Sequence, residues 1–169
     1  MRNNHSFQNR PTIVTTSWDD GHPLDIRLAE LLSKYGLRGT FYVPLKYNGH
    51  EVLDRGELTY LRQLDMEIGS HTVTHPNLTK ISPEQVFAEL CESKKMLEDT
   101  LGEGVFAFCY PGGKFNQMLR SKVVQAGYAL GRTTLGFRTE CDFDPFSMPA
   151  TVQFYPHTRS THLRHALRE

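Results

Sequence analysis

Short apolar, β-rich runs alternate along this chain with longer segments of helical period. Residues 12–18 (TIVTTSW) form the first run, and the loop DDGHP follows it. A helical pattern then puts Leu24, Leu28, Leu31, Leu32 and Tyr35 on one face, and Gly36 stops it. Residues 38–43 (RGTFYV) predict a second strand, Leu58, Leu61 and Leu64 a short helix, and residues 66–70 (MEIGS) a third strand. The next helix has the sharpest start signal. Ser82 stands at the N-cap, Pro83 at the first helical position, and Gln85 completes a capping box. Val86, Leu90, Leu97 and Leu101 form its apolar stripe, and Gly102 ends it. Residues 105–109 predict a fourth strand. Asn116 caps a helix through Leu119, Val123 and Val124 that Gly127 closes. Residues 128–134 predict a fifth strand and residues 151–155 a sixth. Strand and helix alternate with short connections, which calls for a parallel sheet with right-handed crossovers. An open doubly wound sheet and a closed barrel both satisfy that pattern.

Composition narrows the function classes. The 169 residues suit a single domain, with a polar N-terminal extension over residues 1–11 and a short basic tail over 158–169. Apolar residues make up 38% and charged residues 22%, the balance of an ordinary globular chain. Lys plus Arg and Asp plus Glu stand at 19 each, so there is no basic excess of the kind a nucleic-acid protein needs. No apolar run is long enough to span a bilayer, and the N-terminus lacks the apolar core of a signal peptide, so the chain as given reads as cytoplasmic. Cys91, Cys109 and Cys141 are odd in number and widely spaced. They suggest neither a disulfide framework nor a cysteine-rich zinc site, and they read as small buried residues.

Three clusters carry candidate chemistry, and each follows a predicted strand. In parallel α/β folds that carboxyl-terminal edge is where active sites collect. The first is Ser17-Trp18-Asp19-Asp20-Gly21-His22, in which adjacent carboxylates at a strand end point different ways. One can bind a metal while its neighbour handles a proton. The second is Gly69-Ser70-His71-Thr72-Val73-Thr74-His75-Pro76. Its histidines are four apart, but Pro76 and the β-branched residues between them favour a strand end and tight turn over a helix. The third is the run from Phe108 through Cys109, Tyr110, Pro111, Gly112, Gly113 and Lys114 to Phe115 and Asn116, where glycine lets a backbone N–H approach a ligand. Singly, each has a plain alternative: a capped turn, two solvated histidines, an ordinary βα turn. Together, one Asp and two His from separate strand ends make a three-ligand metal site with an open position. A spare Asp beside it supplies a base, and a glycine-lined amide supplies an electrophile.

With these residues in view, the chain resembles the polysaccharide deacetylase family, the chitooligosaccharide deacetylase homology domain. Ser17-Trp18-Asp19-Asp20-Gly21 is similar to the family's Thr/Ser-Phe-Asp-Asp-Gly turn, and His71-Thr72-Val73-Thr74-His75 matches its His-Ser/Thr-x-x-His motif in full. The resemblance extends over residues 12–156. It implies a distorted (β/α) barrel, here incomplete at the C-terminus. It implies Asp19 as general base and Asp20, His71 and His75 as ligands of one divalent ion, zinc first, with cobalt, nickel, manganese or iron(II) as alternatives. It also implies a hydrolase that removes acetyl groups from an amino sugar or polysaccharide, a C–N bond other than a peptide bond.

Two departures stand out. Cys109 occupies the place where the family's third motif opens with an arginine, so Arg132 at the end of the next strand is the candidate to supply the guanidinium. The family's late Leu-x-His, which supplies the general acid, has no match, and the contexts of His157 and His162 do not fit it. In the expected mechanism an amide near Gly112 stabilises the oxyanion, while Trp18, His22 and Tyr110 line the substrate. Hydrolysis of another small amide, or a truncated member that binds metal or glycan without turnover, are the competing readings. A missing barrel strand leaves an open edge, which argues for a homo-oligomer.

Overall fold

The computed structural model describes residues 13–136 and 144–151. Five parallel strands form one sheet: β1 (Ser17–Asp19), β2 (Thr40–Val43), β3 (Glu67–Ser70), β4 (Ala107–Cys109) and β5 (Leu130–Arg132). Their spatial order is the chain order, β1-β2-β3-β4-β5. A doubly wound sheet reverses direction at a switch point; this one never does. Each crossover steps the same way, so the sheet curls into a half-barrel with its helices on the outside, a barrel wall as expected.

The helices are α1 (Asp25–Lys34), α2 (Arg55–Gln63), α3 (Pro83–Leu101) and α4 (Gln117–Gln125). Their ends follow the local chemistry. Ser82 and Gln85 form the capping box of α3, Pro83 opens the helix, and Gly102 closes it in the left-handed conformation (φ 71°). Asp54 and Glu57 form a second capping box at α2, with bonds of 2.9 and 2.8 Å. Asn116 accepts from the Leu119 N–H at the start of α4.

Alternation along the strands separates two faces. Phe41, Val43, Ile68 and Phe108 point outward into a core shared with Leu61, Val86, Leu90, Leu97, Leu119 and Val123 of the helices. Tyr42, Ala107 and Cys109 pack with Leu130 on the inner face. Parallel register brings Asp19, Tyr42 and Gly69 side by side, and likewise Cys109 and Arg132. Gly69 makes room for its neighbour, because a Cβ there would lie 2.4 Å from Cδ1 of Tyr42.

The structure corrects several expectations. In α1 the buried residues are Asp25, Ala29 and Leu32, while Leu24, Leu31 and Tyr35 are exposed. The small Ala29 side chain lets the backbone sit close to the sheet, and docking overrides the wider leucine stripe. Leu101 is partly exposed, and Val124 lies outside the core. The first strand starts at Ser17 rather than at residue 12, and Ile13 and Val14 are exposed. Beyond β5, Met148 bridges Arg132 in parallel. Its N–H donates to the Gly131 carbonyl at 2.8 Å and its carbonyl accepts from the Thr133 N–H at 2.8 Å. A sixth pairing thus begins earlier than predicted. The rest of residues 151–155 lies outside the described residues, as do Cys141, His157, His162 and both terminal segments.

Candidate metal-binding active site

The candidate residues gather at the carboxyl ends of β1, β3, β4 and β5. Asp19 is the last residue of β1 on the inner face, and Asp20 follows in the left-handed conformation (φ 75°). That turn swings the second carboxylate away from the first. Gly21 continues it with φ 61°, and a Cβ there would sit 2.7 Å from Cγ1 of Val43. The β1–α1 turn therefore lies directly on β2, and its Gly21 carbonyl accepts from the Leu53 N–H at 2.8 Å.

The histidine loop leaves β3 at His71 and is strained. Thr72 and His75 both have positive φ, 74° and 53°, which a β-branched threonine rarely adopts. Local bonds hold them there. The Thr72 hydroxyl donates to the His71 carbonyl and accepts the His75 N–H. From α3, the Glu89 carboxylate accepts from the Val73 N–H (2.8 Å), the Thr74 N–H (2.9 Å) and the Thr74 hydroxyl (2.6 Å). The non-helical turn read from Pro76 and the β-branched residues is what forms. Glu89 was invisible in the sequence, because nothing local marks a helical glutamate sixteen residues away as the clamp of this loop.

Asp20, His71 and His75 converge as a set. The Asp20 Oδ1 atom lies 3.6 Å from His71 Nε2 and 3.2 Å from His75 Nε2. The two imidazoles beside it, His71 first, hold the Asp20 carboxyl well below the usual carboxylate range. His71 is buried, and its Nδ1 lies 2.7 Å from the Cys109 carbonyl. A carbonyl only accepts, so Nδ1 carries the proton and Nε2 presents its lone pair to the cluster. That backbone partner fixes the tautomer a metal ligand needs. The Asp20 side chain is 48% exposed, which leaves the cluster open to solvent on one side. Three donor atoms within 4.8 Å of one another, one oxygen and two imidazole nitrogens, fit a divalent ion of the zinc type with an open position.

Arg132 meets Asp19. Its Nη1 donates to Asp19 Oδ2 at 2.9 Å, and its Nε and Nη2 donate to the Ser17 hydroxyl at 3.2 and 3.1 Å. Ser17, Asp19 and Arg132 share the inner face, so β1 and β5 are bridged across the sheet. The Tyr42 ring lies beneath the guanidinium at 5.5 Å. Burial, reinforced by the charge of Asp19, pushes the Cys109 thiol well up. It stays protonated and sits 3.7 Å from Asp19 Oδ2. The other Asp19 oxygen, Oδ1, is buried without a hydrogen-bond partner among the described residues. Such an orphan acceptor, beside a three-ligand cluster, marks where a water or substrate atom belongs.

The remaining predicted residues do not all join this group. Gly112 follows β4 in the left-handed conformation with open space around it, so its backbone can be approached. His22 is exposed in the β1–α1 turn, its Nδ1 accepting from the Leu24 N–H at 3.1 Å. Tyr110 is fully buried, with its hydroxyl spent on the Phe146 carbonyl at 2.9 Å. The structure thus corrects its expected contact with substrate, since the side chain is a strut of the outer core. Trp18 packs against the same core, on the opposite side of the sheet from Asp19.

A parallel half-barrel that presents an Asp-His-His cluster and a paired carboxylate at its carboxyl edge defines a class of α/β folds with a candidate metal site. Comparison with known proteins gives the family. The polysaccharide deacetylase family profile matches residues 8–131, most of the chain, and the chain belongs to that family. Over 133 residues it is 32% identical to Chitin deacetylase 1 of Cryptococcus neoformans, covering 73% of this chain and 27% of that protein. Over 123 residues it is 29% identical to the putative polysaccharide deacetylase YxkH of Bacillus subtilis, covering 72% of this chain and 44% of that protein. The chain spans less than half the length of these curated relatives. In fold it is similar to the Streptococcus pyogenes deacetylase PplD, solved with acetate, at a TM-score of 0.81 and 22% identity over 95% of this chain and 73% of that one.

Proposed function

We propose that this chain is a metal-dependent hydrolase that removes acetyl groups from an amino sugar or polysaccharide. The observation that carries the reading is the juxtaposition of Asp19, held by Arg132 with one oxygen unpartnered among the described residues, and the open Asp20-His71-His75 cluster. The names of the relatives support the substrate class, chitin in one case, and PplD was solved with acetate, the product such a reaction releases.

In this reading Asp20, His71 and His75 would hold the ion, and a bound ion would supply Lewis acidity and a water with a pKa of about 7. Asp19 accepts the proton of the attacking water through the oxygen left free beside it. Arg132 fixes the Asp19 rotamer through its hydrogen bond, so the base is oriented before substrate arrives. Protonated Asp19 then returns that proton to the departing amine and is left ionised again. The Gly112 amide faces the developing oxyanion, a contact worth about 3 kcal/mol in comparable sites. His71 keeps its orientation through the Cys109 carbonyl, and the Glu89 clamp keeps His75 within reach of Asp20.

The test is acetate release from a panel of N-acetylglucosamine oligomers with zinc added, comparing the intact chain with Asp19→Asn. Release by the intact chain that is lost in the variant is expected. No release from either protein while zinc remains bound refutes the reading.

A further inference from the structure

The two candidate histidine ligands are held by different means. His71 is oriented through its Nδ1, which donates to the Cys109 carbonyl at 2.7 Å. Metal-ligating histidines usually fix their rings this way. The Nδ1 atom of His75 makes no hydrogen bond among the described residues. Its backbone N–H donates to the Thr72 hydroxyl at 3.0 Å, and Glu89 clamps the loop around it. Those bonds fix the backbone, and they leave the imidazole free to turn about its own side-chain torsions.

An aromatic ring supplies the missing restraint. The Tyr47 ring lies on the His75 imidazole, with centroids 4.1 Å apart and planes inclined by 31°. His71 meets the same imidazole edge-on at 4.7 Å. Between these two rings, His75 keeps its Nε2 toward Asp20 Oδ1 at 3.2 Å. Tyr47 is itself well placed. The Leu45 N–H donates to the Thr72 carbonyl at 3.3 Å and the Lys46 N–H to the Val73 carbonyl at 2.7 Å. The His50 N–H donates to the Tyr47 carbonyl at 2.9 Å, and the His50 ring packs against Tyr47 at 4.4 Å. The segment after β2 is thus stitched to the histidine loop and delivers Tyr47 onto His75.

The contact also has a sign. An imidazole that shares its lone pair with a divalent ion becomes electron-poor. The electron-rich face of a phenol attracts such a ring more strongly than it attracts a neutral one. A contact that is stronger in the metal-bound state raises metal affinity, whereas one of equal strength in both states does not.

We infer that Tyr47 is the positioning residue for His75, in the role that the Cys109 carbonyl fills for His71, and that its aromatic face raises the affinity of the site for a divalent ion. This rests on Asp20, His71 and His75 as the metal ligands, and the test is independent of acetate release.

The experiment is calorimetric titration of the metal-free chain with zinc chloride, comparing the intact chain with Tyr47→Phe and Tyr47→Leu. Tyr47→Leu keeps apolar bulk without a ring and should weaken zinc binding about fivefold, while Tyr47→Phe keeps the ring and should stay within about twofold of the intact chain. With cobalt(II) in place of zinc, the visible ligand-field spectrum should change in Tyr47→Leu and be kept in Tyr47→Phe. Urea unfolding in chelator checks the fold of each variant, and Tyr47→Gln, also without a ring, repeats the comparison if Tyr47→Leu is unstable. Zinc affinity and cobalt spectrum unchanged in the variants without a ring overturn the inference. So does an equal loss in Tyr47→Phe, which would place the effect in the hydroxyl, and so does an intact chain that binds no zinc. Absent acetate release with the ring-dependent zinc affinity intact defeats the deacetylase reading and leaves this inference standing.

Discussion

Replacing Asp25 by asparagine isolates one buried carboxyl. Asp25 opens α1 with only 8% of its surface exposed, and its Oδ2 has no hydrogen-bond partner among the described residues. Burial pushes its pKa from the ordinary 3.8 up to about 7; a backbone hydrogen bond at His22 opposes this, and the charges of Asp20 and Asp19 add to it. A carboxyl with a raised folded-state pKa holds its proton longer in the folded chain than in the unfolded one. Below the unfolded pKa both states are protonated and there is no ionisation penalty. As pH rises toward the folded pKa the unfolded chain loses its proton first, and stability falls until both are ionised. The gap between 3.8 and about 7 corresponds to about 4 kcal/mol. Asparagine keeps the shape and removes the titration. The assay is urea unfolding of both proteins in chelator at several pH values. The advantage of Asp25→Asn over the parent should grow by about 4 kcal/mol between about pH 4 and about pH 8, then level off. A difference that stays constant over that range refutes the reasoning.

Three further expectations concern the site and the sheet. Arg132→Lys keeps a charge but cannot reach both Asp19 and Ser17, so kcat for acetate release should fall about 100-fold with KM little changed, as steady-state kinetics would show. The intact chain should bind one zinc ion by calorimetry, His71→Ala should abolish that binding, and Glu89→Ala should weaken it about 10- to 100-fold with far-UV circular dichroism unchanged. Gly69→Ala drives a methyl group into the Tyr42 ring and should lower stability by about 1–3 kcal/mol, read as a drop in Tm.

Much of the site was legible in the sequence because its parts are local. Asp19 and Asp20 are adjacent, His71 and His75 share one loop, and each group follows a strand whose apolar run is easy to see. Arg132 as the partner of Asp19 was also reachable, since both end strands of the sheet. The Glu89 clamp was not, nor was the Cys109 carbonyl that orients His71, nor Tyr47 against His75. Their partners lie far off in the chain, and a backbone carbonyl carries no residue signature at all.

The sequence by itself determined the alternation of strand and helix, the capping box of α3, and the residue types of the candidate metal cluster, because those follow from local periodicity and short-range hydrogen bonds. Only the tertiary structure decided which face of α1 is buried, where β1 begins, and that Tyr110 belongs to the core rather than the cleft. Those outcomes depend on how elements dock, and docking is settled by volume and contact across the sheet. It is the same curl of the sheet that carries Arg132 from the fifth strand to Asp19 on the first.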